Sequence, residues 1–404
     1  MKRLLFVDDE AMVLSGLRRS LHGMRNLWDM QFVESAAAAL QALEKERYDA
    51  IISDMRMPLM DGADLLDQVK ERYPDVVRMI LSGQSSREAV YRSISPAHQF
   101  LSKPCDPQEL SSRLSQAFAM RDLLANPSLK TMIARLRSIP SLPTLYEELT
   151  AALRSDNFSL AGIAKIISKD VGMAAKILQL ANSAFVGSSG RVSSLSQALT
   201  LIGTETVRTL VLSVHVFSQF EGNPKVAASL PALWDHSIAV STLAQQIASA
   251  ENCPKAQVEE CFTAGLLHDI GKVVLLAELT NEYIQMYGAD SEANTRAERE
   301  RLGCTHAEVG AYLMSIWGLP FSLVLAVAYH HHPGETAETK FSSLAAVHAA
   351  DAIVSETEAS PLNHDVAMDR PYLCRLGLSE REAAWRDLYK RGPASPSGSS
   401  CRPH

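Results

Sequence analysis

The segment "CFTAGLLHDIGKVVLL", residues 261–276, places His268 and Asp269 side by side in an apolar stretch whose pattern predicts a helix. A histidine and a carboxylate are costly in a hydrophobic core unless something holds them there. Both are metal ligands, and ligands from several helices hold pairs of metal ions in helical bundles. Adjacent residues of one helix point about 100° apart, so both side chains reach one metal pair only if it lies close to that helix.

Further histidines and aspartates occur between residues 236 and 351, each within an apolar helical pattern. A single histidine of this kind is usually a hydrogen-bonded core residue, and the triplet 330–332 before Pro333 also suits a solvated helix end. Burying all of these histidines and aspartates without a ligand would cost much free energy, so the pattern favours a metal site. The candidate ligands are His236, His268, Asp269, His306, His330, His331 and Asp351.

A second group of polar residues follows the predicted strands near the N-terminus: Asp8, Asp9, Asp54, Ser82 and Lys103. The carboxyl ends of parallel strands meet at one edge of a sheet, so these five side chains should converge. Clustered carboxylates repel one another unless a hard cation such as Mg²⁺ neutralises them. A carboxylate beside Mg²⁺ can attack a phosphoryl group, while a lysine and a serine hold the transferred oxygens. Each residue alone could make turn contacts only, but five at matching positions favour one site.

The elements that must position these groups differ between the two halves of the chain. Residues 1–120 alternate apolar strands ("RLLFVD", "MQFVES", "DAIISD", "VVRMILSG", "HQFLSKP") with helices, which predicts an α/β doubly wound, five-stranded parallel sheet. From about residue 125 to 356 apolar residues recur at three- and four-residue spacing, which predicts an all-α domain. The expected divisions are 1–122, a linker 123–135, the helical domain 136–356, a helical extension 357–390 and a disordered tail 391–404.

Composition restricts the class of protein further. A length of 404 residues suggests two or three structural units, and a net charge of −7 disfavours binding to nucleic acid irrespective of sequence. The chain has no helix with basic flanks typical of DNA recognition, and we expect no nucleic-acid binding. No apolar run is long enough for a membrane span or an export signal, and the six cysteines form no CxxC pair. We therefore expect a cytoplasmic protein.

Residues 1–122 resemble the receiver domain of bacterial two-component response regulators, through "FVDDE", "IISDMRMPLMDG", "LSGQ" and "FLSKP". The resemblance implies that Asp54 is the phosphoacceptor. Asp9 and the backbone carbonyl of Arg56 would join Asp54 on Mg²⁺, with Asp8 in support. The implied phosphodonor is a sensor histidine kinase.

The same resemblance assigns roles at the ends of the fourth and fifth strands. Ser82 and Lys103 would sense the phosphoryl group, Phe100 would be an aromatic switch, and the bond between Lys103 and Pro104 would be cis. Phosphorylation would then act by shifting a population of conformations. Receiver domains often pair through the region corresponding to residues 84–122, so the resemblance also makes a homodimer plausible.

Residues 130–335 resemble the HDOD family, a relative of the HD superfamily of metal-dependent phosphohydrolases. The motifs are "IISKDVGMAAKILQLANSAF", "SLSQALTLIG", "GLLHDIGK" and "HAEVGAYLMSIWGLPFSLVLAVAYHHHP". The resemblance implies a dinuclear site for Fe, Mn or Zn on the seven ligands above, with Lys272 contacting a substrate phosphate. Two features of the HD-GYP cyclic di-GMP phosphodiesterases are missing, because the run continues "HHHPGETAETK" and position 232 is alanine. Hydrolysis of cyclic di-GMP is therefore not expected.

Two functions stay open at this point. Many HDOD domains lack most of these ligands and act as regulatory modules, so the chain could be a response regulator whose helical output domain binds an unidentified downstream protein. Alternatively, it could be a metal-dependent phosphohydrolase controlled by phosphorylation. The ligands without a substrate motif favour the first function.

Overall fold

The computed structural model describes residues 1–82, 97–124, 126–136, 140–141, 143–154, 159–182, 192–203, 206–207, 218–219, 224–286, 295–357 and 367–391. The N-terminal part is a five-stranded parallel sheet in the order β2-β1-β3-β4-β5. Its strands are β1 (Lys2–Val7), β2 (Trp28–Val33), β3 (Ala50–Asp54), β4 (Val77–Ser82) and β5 (Gln99–Ser102). Its described helices are α1 (Ala11–Ser20), α2 (Ala36–Lys45), α3 (Gly62–Arg72) and α4 (Pro107–Leu123).

Apolar side chains cover both faces of this sheet. Leu5 and Ile51 lie in a cluster with residues of α2 and α3, whereas Leu4 and Ile52 lie in a second cluster with residues of α1 and α4. Successive residues of a strand point to opposite faces, so one run of apolar residues supplies both cores. The predicted doubly wound sheet is confirmed.

The remaining described residues are mainly helical, as predicted. The first helices are α5 (Pro127–Arg135), α6 (Pro143–Arg154), α7 (Leu160–Ile167), α8 (Val171–Ala181), α9 (Leu195–Ile202) and α10 (Pro224–Ala250). They are followed by α11 (Lys255–Leu267), α12 (Ile270–Glu278), α13 (Thr280–Met286), α14 (Thr295–Leu302), α15 (His306–Ile316), α16 (Phe321–Tyr329), α17 (Ser343–Ser355), α18 (Arg370–Arg375) and α19 (Glu382–Arg391). A parallel pair of two-residue strands, β6 (Pro140–Ser141) and β7 (Ser218–Gln219), was not predicted. Within the described residues no helix is both long and apolar enough to span a bilayer.

The two parts of the molecule share apolar contacts. Met120 and Leu124, at the end of α4, belong to the same buried cluster as the core of the helical part. The segment predicted as a linker contains α5, whose Leu129 and Ile133 are buried in that cluster. This segment therefore packs between the sheet and the helical part.

The C-terminal extension caps the helical part. Trp385 in α19 is fully buried, and its indole Nε1 donates to Glu251 Oε1 at 2.8 Å. The Arg381 guanidinium contacts the same carboxylate at 2.7 Å. These contacts join the extension to Glu251, which directly follows α10. The predicted disordered tail lies outside the described residues from 392 onward.

One local prediction was wrong. Residues 261–276 do not form one continuous helix, because α11 ends at Leu267 and α12 begins at Ile270. Asp269 leaves helical geometry, with φ −99° and ψ 15°. The break gives α12 its own direction against α15, where an added Cβ on Gly271 would lie only 1.9 Å from the carbonyl oxygen of His306. Apolar periodicity continues through the break, so the sequence pattern does not reveal it.

Candidate functional sites

The first candidate site lies at the carboxyl edge of the sheet. β1 and β3 are neighbours with Val7 opposite Ser53, so the next residues, Asp8 and Asp54, stand side by side. Both carboxylates are buried, and the Lys103 ammonium bridges them, at 2.6 Å from Asp8 Oδ2 and in contact with Asp54 Oδ1. Burial acts to lower the pKa of Lys103, but the hydrogen bonds and charges of the two carboxylates outweigh it and raise that pKa. Lys103 therefore stays charged between them.

The other predicted residues of this edge are placed as follows. Asp9 is exposed next to Asp8, and the backbone N–H of Arg56 donates to Asp54 Oδ2 at 2.7 Å. Phe100 is buried in β5, and the bond between Lys103 and Pro104 is cis. Ser82 ends β4, but its side chain lies outside the described part. The buried carboxylate oxygens suit a hard cation such as Mg²⁺, so the donor set fits the expected ion.

The second candidate site lies among the helices and contains all seven predicted ligands. They form two groups, and the ligand atoms of each group lie within 4.8 Å of one another. One group is Asp269, His306, His330 and His331, and the other is His236, His268 and Asp351. The side chains come from α10, from the break between α11 and α12, from α15, from the end of α16 and from α17.

Asp269 lies between the two groups. Its Oδ1 faces one group, at 3.2 Å from His306 Nε2 and 3.8 Å from His330 Nε2. Its Oδ2 faces the other, at 3.4 Å from His268 Nε2 and 3.9 Å from His236 Nε2. A carboxylate with one oxygen toward each of two imidazole groups has the geometry of a bridging ligand for two ions.

Four buried atoms of this cluster make no hydrogen bond: His268 Nε2, Asp269 Oδ1, His330 Nε2 and Asp351 Oδ2. The opposite ring nitrogens are engaged, since His268 Nδ1 donates to the Gly265 carbonyl at 2.7 Å and His330 Nδ1 donates to the Val327 carbonyl at 2.8 Å. In the neutral form of each ring, Nε2 then carries a lone pair directed into the cluster. Buried polar atoms in proteins almost always have partners, and metal ions would satisfy these four. The residues fit a metal pair.

Electrostatic effects favour the ligand forms of Asp269 and His330. At His306, by contrast, burial acts to lower the pKa, but the charge of Glu298 and the hydrogen bonds of Asp269 and Glu298 outweigh it and raise that pKa. Burial acts to raise the pKa of Asp269, but the charges of His268 and Lys272 hold it well below its ordinary value. Burial lowers the pKa of His330 well below its ordinary value, so its imidazole stays neutral. Lys272 is itself buried, and its Nζ lies 2.6 Å from Asp269 Oδ2. It thus neutralises a candidate ligand, while its expected role toward a substrate phosphate stays a prediction.

Sequence reasoning missed Glu298, which contacts His306 from α14. Six of the eight residues of "TRAERERL" are charged or polar in a way typical of a solvated helix, and no spacing distinguishes the buried one. His348, for which no ligand role was predicted, lies outside both groups of ligands. Its Nδ1 donates to the His330 carbonyl at 2.7 Å, and its Nε2 accepts from the backbone N–H of Asp369 at 2.8 Å. His348 therefore ties the C-terminal extension to the residue that carries a candidate ligand.

Two family models match this chain. The model of the response regulator receiver domain matches residues 4–115, and the model of the HDOD domain matches residues 139–333. An uncharacterized protein of Treponema pallidum (strain Nichols) is 24% identical over 260 residues, which cover 64% of this chain and 48% of that protein. The hydrogenase transcriptional regulatory protein HoxA of Bradyrhizobium diazoefficiens is 37% identical over 116 residues, covering 28% of this chain and 23% of HoxA. The chain thus spans about half or less of these curated relatives.

Among solved structures, the MmoQ response regulator of Methylococcus capsulatus str. Bath is 27% identical, with a TM-score of 0.46 over 62% of this chain and 98% of MmoQ. The chain is a response regulator in which a receiver domain is fused to an HDOD domain. The predicted family and fold class are confirmed, while the domain boundaries stay predictions. A receiver domain implies a phosphodonor such as a sensor kinase.

Proposed function

We propose that phosphorylation of Asp54 controls the HDOD domain, which acts mainly as a regulatory module that binds another protein in the cytoplasm. The observation that carries this proposal is the contact between the receiver domain and α15. Helix α4 of the receiver packs along this helix, Gln99 of strand β5 hydrogen-bonds to it, and α15 begins with His306 of the cluster of candidate metal ligands. One helix therefore contacts the receiver and carries part of the output site.

Two buried amides join the receiver to the C-terminal end of α15. Gln99 Nε2, at the start of β5, donates to the Ser315 carbonyl at 2.8 Å. Gln116 Nε2, in α4, donates to the Leu319 carbonyl at 3.0 Å. Ser315 lies in the last turn of α15, and Leu319 lies in the turn that follows it, so these amides fix that end of the helix to the receiver. A shift of β5 or α4 would change both bonds.

The phosphorylation edge reaches the same strand. Lys103 follows β5 directly, and Phe100 lies within β5 next to Gln99. When a carboxylate oxygen of Asp54 attacks the phosphorus of a phosphohistidine donor, the P–N bond breaks and an acyl phosphate forms. Asp8, Asp9 and Asp54 would hold Mg²⁺, which would supply positive charge to offset the carboxylates and the phosphoryl oxygens. The Lys103 ammonium then gains phosphoryl oxygens as partners, and the equilibrium between arrangements of β5 shifts.

The proposal also bears on the homodimer. Part of the surface expected to pair, residues 97–122, packs on α15 of its own chain. Gln99 and Gln116 are buried there. Pairing through this surface would require the contact with α15 to open, so phosphorylation would expose a dimer surface and a face of the HDOD domain together.

Hydrogen exchange with mass spectrometry tests the proposal. The full chain is incubated with Mg²⁺ and acetyl phosphate, and the extent of phosphorylation is measured on the intact protein. We expect faster exchange at the C-terminal end of α15 in the wild type and no change in Asp54→Asn, while α1 serves as an internal control. Complete phosphorylation without any change in α15 or α4 would refute the proposed route.

The four unpartnered ligand atoms favour a second candidate function, a metal-dependent phosphohydrolase. Two metal ions would supply an activated water and stabilise charge on a phosphoester. A cavity of about 190 Å³ touches His331, Tyr329, Thr305 and Arg299, which leaves a path from solvent to one edge of the cluster. The chain's own contribution is to hold the imidazoles and Asp269 in place, with Lys272 balancing the charge of Asp269.

Metal analysis of the purified protein distinguishes the two functions. For the enzyme we expect near-stoichiometric Fe, Mn or Zn that is lost in His268→Ala, together with hydrolysis of bis(p-nitrophenyl) phosphate. Thermal unfolding of both proteins is measured alongside, because a bound metal also contributes to folding. A wild type that binds none of the three metals when they are added would exclude the enzyme and leave the regulatory module.

A further inference from the structure

Glu298 is a buried carboxylate in a helix whose other charged residues are exposed. It lies in α14, where it is only 1% exposed, and it is the buried residue of that helix. Burying a carboxylate costs free energy unless hydrogen bonds compensate for the lost water. The hydrogen-bond partners of Glu298 therefore indicate which residues its carboxylate positions.

Those partners converge on His306. Glu298 Oε1 and Oε2 lie 3.0 and 2.8 Å from His306 Nδ1, and Oε2 accepts the backbone N–H of His306 at 2.8 Å. The Tyr283 hydroxyl donates to Oε1 at 2.8 Å and holds the carboxylate in turn. One carboxylate thus fixes both the ring of His306 and the first backbone N–H of α15.

We propose that Glu298 is a positioning residue that fixes the tautomer and the orientation of His306. In the neutral imidazole with Nδ1–H donated to Glu298, the Nε2 lone pair of His306 points into the cluster, where Asp269 Oδ1 is 3.2 Å away. His331 Nε2 lies 3.0 Å from the same nitrogen, so two imidazoles converge on one point that a cation can take. This proposal rests on the metal site of the second candidate function.

The kind of acceptor distinguishes His306 from its neighbours. His268 and His330 donate Nδ1–H to neutral backbone carbonyls, whereas His306 donates to a carboxylate. A charged acceptor forms a stronger hydrogen bond and makes the opposite ring nitrogen a better metal ligand. We therefore expect His306 to be the strongest metal ligand of these three imidazoles.

The test compares Glu298→Gln with Glu300→Gln, a matched change at an exposed carboxylate of the same helix. Co²⁺ affinity is measured by titration against a chelator, and the visible absorption of the ion reports its ligands. We expect about 10- to 100-fold weaker binding and an altered spectrum in Glu298→Gln, and no change in Glu300→Gln. Equal affinity and identical spectra in all three proteins would overturn the proposal.

A second measurement needs no metal. Nitrogen-15 NMR of the metal-free protein reports which ring nitrogen of each histidine carries the proton. At a pH where His306 is neutral, we expect its proton on Nδ1 in the wild type and a mixture of tautomers in Glu298→Ala. A mixture already present in the wild type would overturn the proposal. If the wild type binds no Co²⁺, the metal function fails, and this NMR result still decides whether Glu298 positions His306.

Discussion

Replacing Gly271 with alanine should separate α12 from α15 and so disturb the metal-ligand cluster. A Cβ at position 271 would lie 1.9 Å from the carbonyl oxygen of His306 and 2.9 Å from the backbone nitrogen of Gly310. Both atoms belong to the backbone of a packed helix. The new methyl group cannot be accommodated by rotation of a side chain, so one helix has to move.

The size of the effect follows from that distance. Non-bonded atoms settle at roughly 3.5 Å, so the helices must part by about 1.5 Å. Overpacking of a core usually costs about 1–3 kcal/mol, and a collision with backbone belongs at the upper end. Asp269 lies two residues before Gly271, and the carbonyl that the new Cβ would contact belongs to His306. The distance of 3.2 Å between Asp269 Oδ1 and His306 Nε2 should therefore increase as well.

The assay combines thermal unfolding, followed by circular dichroism, with Co²⁺ titration. We expect Gly271→Ala to lower the midpoint by about 6–12 °C, since a cost of about 3 kcal/mol corresponds to about 2–4 °C per kcal/mol in a domain of this size. Gly16→Ala is the control, because a Cβ there meets nothing within 4 Å and alanine suits the interior of α1. That control should gain about 0.5–1 kcal/mol. A Gly271→Ala protein with wild-type midpoint and metal affinity would refute the close crossing of α12 and α15.

Three further perturbations test other parts of the molecule. Burial lowers the pKa of Lys176 to about 8, so between pH 8 and 10.5 the unfolded chain holds more protons than the folded one, and stability rises with pH. In urea unfolding, the free energy of unfolding of Lys176→Met minus that of the wild type should therefore fall by up to about 3 kcal/mol between pH 8 and 10.5. A difference that does not change with pH would contradict the lowered pKa of Lys176. Gln116→Ala leaves the Leu319 carbonyl without this donor, so hydrogen exchange in the turn between α15 and α16 should rise without any phosphodonor; unchanged exchange there would argue against the contact. Trp385→Ala should cost about 3–5 kcal/mol in urea unfolding, and a negligible loss would show that the extension does not belong to the core.

The receiver domain could be predicted from sequence nearly completely, for a geometric reason. Each strand is a short apolar run, and a parallel sheet aligns the carboxyl ends of its strands at one edge. Asp8, Asp54 and Lys103 follow three such runs, so their meeting follows from the order of elements alone. The bridging of two carboxylates by Lys103 was not predicted, because it depends on side-chain positions.

The helical site was predictable in its members and less so in its arrangement. Polar residues in apolar helices predicted the seven side chains that the structure brings together, because burial of such residues is costly. The division of the candidate ligands into two groups around Asp269 depends on how helices distant in sequence cross. Hydrophobic periodicity does not predict how helices cross. Glu298 was missed for a related reason. In the sequence a buried glutamate cannot be distinguished from the exposed charged residues around it, because its burial depends on where the helix packs.

Helix α15 gives a reason to expect the two sites to influence each other in both directions. Its first residue is held by Glu298, and its C-terminal end accepts hydrogen bonds from the receiver, so the intervening 11 residues link the two sites as one element. If beryllofluoride at Asp54 changes the affinity for Co²⁺ by some factor, Co²⁺ must change the affinity for beryllofluoride by the same factor. Couplings of this kind are typically about 5- to 150-fold. If the affinity for Co²⁺ is the same with and without beryllofluoride, and the affinity for beryllofluoride is the same with and without Co²⁺, α15 does not couple the two sites.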